Sequence, residues 1–240
     1  MSLARRALFL SLVFVLCHGL QAKEPQPPTE ETPKPGPQPL LQTLPEDGAW
    51  VTYFVLLKTD GNEQQLEWTA ASVGTKQVDG EPHRWLELSA KSGGSVYRVY
   101  KALIPESRFV PGKNPIRDSK ELWVRYGNES PRRIPSIRDE DPTLDLLLSG
   151  PVSNVKKLHE TEDVDWQKGR LKCEIWEGEN KLDAKFFKLE NKQRLLKNKS
   201  VPFGIAGSKV KISNGDRSAE VEYVLDNFGT GAKSLLPEVK

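Results

Sequence analysis

From residue 50 onward, apolar and polar positions alternate with a period of two over most of the chain, which predicts strands rather than helices. Trp50-Val51-Thr52-Tyr53-Phe54-Val55-Leu56-Leu57 is aromatic, β-branched and apolar on both faces. Asp60-Gly61-Asn62 supplies a turn, after which Leu66, Trp68 and Ala70 alternate with Gln65, Glu67 and Thr69. A second turn signal, Val78 to Pro82, leads into a strand from His83 to Ala90, and Gly93-Gly94 turns the chain into Val96 to Ile104. Strands joined this tightly must pair antiparallel, because parallel pairing needs a long crossover.

The pattern breaks between residues 105 and 149. Pro105, Pro111, Pro115, Pro131, Pro135 and Pro142 interrupt any long element. Two short helices are predicted between them. One covers Asp118 to Tyr126, with Asp118 as cap and Glu121 three residues on. The other starts at Asp141-Pro142-Thr143, a capping residue before a proline in the first helical position, and continues through Leu144, Leu146, Leu147 and Leu148. Strand patterns then resume at Val152 to Glu160, Arg170 to Glu177, Lys181 to Glu190, Gln193 to Lys197, Lys209 to Ser213 and Ser218 to Leu225. Glu177-Gly178-Glu179-Asn180 and Asn214-Gly215-Asp216 read as turns, the second being the strongest hairpin signal in the chain.

The N-terminus bears on compartment. Arg5 and Arg6 precede an apolar run from Ala7 to Cys17, and Ala22 offers a small residue for cleavage. This is the layout of a secretory leader over residues 1–22, and the run is too short to span a bilayer. Cys17 follows Leu16 rather than a small residue, which argues against a lipid anchor. Residues 23–45 hold eight of the 18 prolines and read as a disordered spacer, with docking to an envelope partner as the other use of such a segment. The folded domain is expected over 46–228, with a Gly-rich and then polar tail at 229–240.

The full chain has 35 Lys+Arg against 33 Asp+Glu. The leader holds two arginines and no acid, so the mature chain balances at 33 against 33. That leaves no global field to attract nucleic acid. Cys173 is then the sole cysteine, which excludes an internal disulfide framework. It alternates with Leu171 and Ile175 and reads as a small core residue.

Val201-Pro202-Phe203-Gly204-Ile205 reads as a sheet corner. Pro202 ends a ladder and Gly204 permits a positive φ, while the three apolar side chains pin the bend. With Gly169-Arg170-Leu171-Lys172-Cys173 and Lys185-Phe186-Phe187, this stretch resembles a pattern in exported bacterial proteins of the lipoprotein-carrier type. The resemblance covers roughly residues 165 to 225, and here Leu195 to Ser200 replaces the tryptophan and Ser-Pro pair often seen before the Val-Pro. It implies an unclosed antiparallel barrel with helices in its mouth. The expected fold is therefore mainly β (α+β): a curved antiparallel sheet or half-barrel of about ten strands with a short helical insert.

Candidate chemistry is sparse. His83 and His159 are far apart, lack metal-ligand spacing and read as surface imidazoles. Asp139, Glu140, Asp141 and Asp145 could gather calcium, but no Gly-bearing loop supports them. Nucleophile elbows and phosphate-cradling loops are absent, so no catalytic residue and no cofactor is assigned. Asn128-Glu129-Ser130 and Asn198-Lys199-Ser200 match glycosylation acceptors, which matter only in a eukaryotic secretory route. Arg132-Arg133 with Arg138 would suit an anionic headgroup or a surface ion-pair network. Three functional readings remain. The first is an exported, periplasmic or secreted, non-enzymatic protein holding a lipid or other apolar ligand on the concave face, through Trp50, Phe54, Trp68 and Phe203 with Arg132 and Arg133 at a headgroup. The second is a dry structural or envelope-associated module, and the third a hydrolase with dispersed residues.

Overall fold

A strand leaves backbone N–H and C=O groups unpaired along each edge, and here most strands are paired by their neighbours in sequence. The computed structural model describes residues 36–41, 43–59, 61–184, 187–214 and 217–236. The leader and most of the Pro-rich spacer lie outside the described residues. The strands are β1 (Trp50–Thr59), β2 (Asn62–Val78), β3 (Glu81–Ser92), β4 (Ser95–Pro105), β5 (Glu121–Tyr126) and β6 (Arg132–Arg133). Two helices follow, α1 (Ile137–Glu140) and α2 (Pro142–Ser149). The chain then returns through β7 (Ser153–Trp166), β8 (Gly169–Ala184), β9 (Phe187–Lys197), β10 (Ile205–Asn214) and β11 (Arg217–Gly229).

All eleven strands form one antiparallel sheet in the order β6-β5-β4-β3-β2-β1-β11-β10-β9-β8-β7. Two meanders meet at its centre, where β1 pairs with both β2 and β11. The sheet is open, and bulges bend it: pairing shifts at Thr52/Tyr53, Ser72/Thr75, Ala90/Lys91 and Ile205/Gly207. The far end curls back, so that Trp166 stacks on Phe228 at 4.3 Å and Gln167 N donates to Asp226 O. The expected curved antiparallel sheet with a short helical insert is therefore present.

Several local expectations are corrected. Residues 121–126 form β5, not a helix, because Leu122 and Val124 alternate into the core and the segment completes the open edge of β4. The capping residue is instead Asn114, whose side chain accepts from Ile116 N ahead of a 3-10 turn at Pro115–Asp118. Residues 105–149 therefore extend the sheet as well as interrupting it. Glu177 to Asn180 is mid-strand, opposite Arg194 to Asn191. Gly178 sits there for room: a Cβ would stand 2.7 Å from Pro151 Cβ and 3.0 Å from Ser153 O. Gly215 lies outside the described residues.

The spacer's end is also structured. Gln38 N donates to Pro151 O and Leu40 N to Leu148 O, and Leu41 is buried. At the other terminus the tail docks: Ala232 N donates to Gly48 O, and Leu236 is fully buried. His83 is buried rather than at the surface, with Nδ1 at 2.9 Å from Glu81 O. His159 is exposed on β7.

The core lies in the concavity. Residues Leu144, Asp145, Leu146, Leu147, Leu148 and Ser149 of α2 are all buried. Leu144 and Leu148 pack with Val51, Leu86 and Tyr100, whereas Leu146 and Leu147 pack with Val55, Val210 and Tyr223. Each such leucine contributes roughly 2 kcal/mol by removal from water.

Candidate functional site

Between α2 and the sheet lies a cavity of about 80 Å³. Its floor is the concave face of the central strands, with Tyr53 from β1, Trp68 and Ala70 from β2, Leu88 from β3 and Tyr223 from β11. Leu144 and Leu148 of α2, with Leu40 and Leu41, cover it, and Phe203 and Ile205 close one side. Tyr97, Tyr100, Arg98 and Asp141 also line it, with Thr69 and Ser89, and Arg98 and Asp141 are partly exposed, which places them at the rim.

The corner at Phe203 explains how a turn reaches this wall. Val201–Gly204 forms a tight four-residue turn in which Phe203, at the third position, has φ 65°, left-handed for a residue with a side chain. Such a backbone costs about 1–2 kcal/mol, and the ring that holds it there is only 2% exposed. Gly204 adds φ 82° and donates its N–H to Val201 O at 2.8 Å.

Four sequence-assigned ligand residues are thereby divided. Trp68 and Phe203 meet at the cavity. Phe54 points to the outer face, 57% exposed beside its cross-strand neighbour Val224. Trp50 donates its indole N–H to Thr230 O at 3.2 Å and packs over Gly229. Neither lines the cavity. Arg132 pairs with Glu140, and Arg133 donates to Lys120 O at 3.2 Å; both are exposed on β6, away from the lining. Tyr53, Arg98 and Tyr223 were not singled out in the sequence. The only signal for Tyr223 was its alternation with Val221 and Leu225.

The insert is held by three arginine–carboxylate pairs. Arg117 grips Asp145 at 3.1 and 2.7 Å and also donates to Ser149 Oγ. Arg98 pairs with Asp141, which also caps α2 by accepting from Leu144 N. Arg132 and the Tyr126 hydroxyl share Glu140. Those two donors hold the Glu140 carboxyl below its usual range, the Tyr126 bond leading. Burial opposes charge on Arg98, but Tyr100 and Asp141 outweigh it and raise its pKa. The acids at 139–145 are thus shared out among separate partners. Among the described residues, no group of His, Cys, Asp or Glu is placed to hold a metal. Cys173 is buried, and burial, with Glu162 and Asp163, pushes its thiol up to about 11.

The inner polar atoms behave differently. Tyr53 OH donates to Ile205 O at 2.8 Å. Trp68 Nε1 and Tyr223 OH are buried and have no hydrogen-bond partner among the described residues. Their rings lie 5.4 Å apart, tilted by 32°. The run continues under α2. Ser208, the cross-strand neighbour of Tyr223, accepts from Gln193 Nε2 at 3.0 Å, while Gln193 Oε1 and both amide atoms of Asn191 are unpartnered. Each such atom left unmet costs about 1–3 kcal/mol, so the set is large beside a typical net stability of about 5–15 kcal/mol.

No family model matches the chain, and no curated protein matches it. Among solved structures, the chain is similar in its course to a "putative exported protein with YmcC-like fold" from Bacteroides fragilis NCTC 9343. Identity is 10% and the TM-score 0.37, over 82% of this chain and all of that one. A "putative lipoprotein" from Parabacteroides distasonis ATCC 8503 gives 8% and 0.37, over 79% of this chain and 98% of that one. At these values neither likeness assigns a function to this chain. No helix among the described residues is long and apolar enough to cross a membrane.

Proposed function

We propose that this is an exported, non-enzymatic binding protein that takes a lipid or other apolar ligand between the concave face of its sheet and α2. The observation that carries the reading is the apolar cavity itself, walled by Trp68, Leu88 and Phe203 and covered by Leu144 and Leu148. Export rests on the leader-like segment at residues 1–22. The Pro-rich stretch then serves as a spacer between an envelope partner and the folded domain. Cavity volume limits what enters with α2 in place. It is about half that of a cavity known to take benzene, so it receives the end of a ligand, and a longer chain leaves past Arg98 and Asp141 at the rim.

Native mass spectrometry of the mature protein purified from its own host, followed by denaturing extraction and lipid analysis, tests this. A stoichiometric apolar mass is expected. A clean unliganded mass, with no gain in melting temperature across a lipid panel, would replace the reading with a structural module.

A further inference from the structure

We infer that the ligand carries an uncharged hydrogen-bond acceptor, an ester, ketone or amide carbonyl, that meets Trp68 Nε1 and Tyr223 OH inside the cavity. This rests on the binding reading above and narrows its ligand class.

The argument begins with the donors. An indole N–H can only donate, and a phenol donates one hydrogen. Both side chains line the cavity with their rings 5.4 Å apart, their polar atoms are buried, and neither atom has a partner among the described residues. A carbonyl oxygen has two lone pairs and no hydrogen, so it complements two donors. The Tyr223 hydroxyl keeps its proton, because burial raises its pKa well above 10.

Charge decides between an acceptor that is neutral and one that is not. Arg98 is the one cation in the lining, and it is committed to Asp141 and Tyr100 at the rim. Apart from Arg98 and Asp141 the lining carries no charge: it is aliphatic and aromatic, with the neutral hydroxyl residues Thr69 and Ser89. A carboxylate or phosphate placed there would lose its water without gaining a counter-ion. A quaternary ammonium has no lone pair to offer, so it would leave both donors unmet, and the one acid in the lining, Asp141, is already paired with Arg98. A neutral carbonyl on an apolar chain satisfies both donors and leaves the rest of the wall in apolar contact.

Calorimetric titration of the mature protein with methyl octanoate, octanoate and octyltrimethylammonium at neutral pH tests this, repeated on Tyr223→Phe and Trp68→Phe. The expected order has the methyl ester about tenfold or more tighter than either ion, roughly one charge-free hydrogen bond's worth. In each variant the ester should weaken about five- to tenfold, so that its advantage over octanoate collapses. Tyr223→Phe removes only a hydroxyl, so it should melt no lower than the wild type, and it decides the question if Trp68→Phe folds poorly. If the ions bind as tightly as the ester, or if Tyr223→Phe keeps the full ester preference, the carbonyl inference is overturned and the apolar-ligand reading stands. If none of the three ligands binds, the binding reading itself fails and takes this inference with it.

Discussion

Two buried polar clusters, one on each face of the central sheet, are partnered in opposite ways. On the outer face of β3 and β4, Glu87 and Lys101 are both nearly inaccessible and lie 3.5 Å apart. The C-terminal segment satisfies them fully. Ser234 Oγ, Leu235 N and Leu236 N donate to the Glu87 carboxylate, and Lys101 donates to Ser234 Oγ and Leu236 O. On the inner face, Trp68 Nε1, Tyr223 OH and the Asn191 amide are buried and unmet. The Glu87–Lys101 pair, whose burial is the more expensive, receives a complete partner set, whereas Trp68, Tyr223 and Asn191 do not. The outer cluster is closed by the chain's own tail, whereas the inner one has no such partner among the described residues.

The largest expected effect breaks the outer cluster. Glu87→Ala removes three accepted bonds and strands the Lys101 ammonium, which should cost about 3–5 kcal/mol in urea unfolding. Replacing both, as Glu87→Leu with Lys101→Met, should recover much of that loss, because no buried charge is left over. A double variant as unstable as the single one would show that the tail docks through packing rather than through the charges.

Next in size is the cover of the inner face. Asp141→Ala removes the α2 cap and the Arg98 partner together, for about 1–2 kcal/mol. Asp141→Asn retains a capping acceptor and should cost less. If the two variants unfold at the same urea concentration, the Arg98 pair rather than the cap fixes α2.

Tyr223→Phe has the opposite sign. Deleting an unmet buried hydroxyl should stabilise the unliganded protein, by about 1 kcal/mol, even as it weakens the ester. A loss of stability would mean the hydroxyl is already satisfied within the fold, and the contrast between the clusters would disappear.

The smallest effect is alkaline. Burial first, then the nearby acids, lift the Cys173 thiol from 9.0 to about 11 in the folded protein. The folded state holds this proton more tightly, so its contribution is intact below pH 9 and is lost as pH rises toward 11. Buried Tyr53 and Tyr223, also raised, extend the decline upward. The urea midpoint should fall across that window in the wild type and fall less in Cys173→Ala. Equal falls would assign the whole alkaline loss to the tyrosines.

Local pattern by itself determined most of the strands, the antiparallel pairing, the α2 start at Asp141-Pro142 and the corner at Phe203. Each of these depends on residues within a few positions of one another, so period, turn chemistry and capping are enough. Local signals misled where a distant segment overruled them. Gly178 suggested a turn, but it is a glycine because the segment after α2 crosses it. Asp118 and Glu121 suggested a capped helix, but the free edge of β4 drew Leu122 and Val124 into the sheet. The tail looked polar and free, yet Ser234 and Leu236 complete a charge pair on strands more than a hundred residues earlier in the chain. The candidate site was legible only in part. Trp68 and Phe203 were visible as aromatics on an apolar face, whereas Phe54, equally apolar, turned outward. Which face of β1 became concave, and so which aromatics share a cavity with Tyr223, depended on how bulges bend the whole sheet. That is a property of eleven paired strands, not of any one of them.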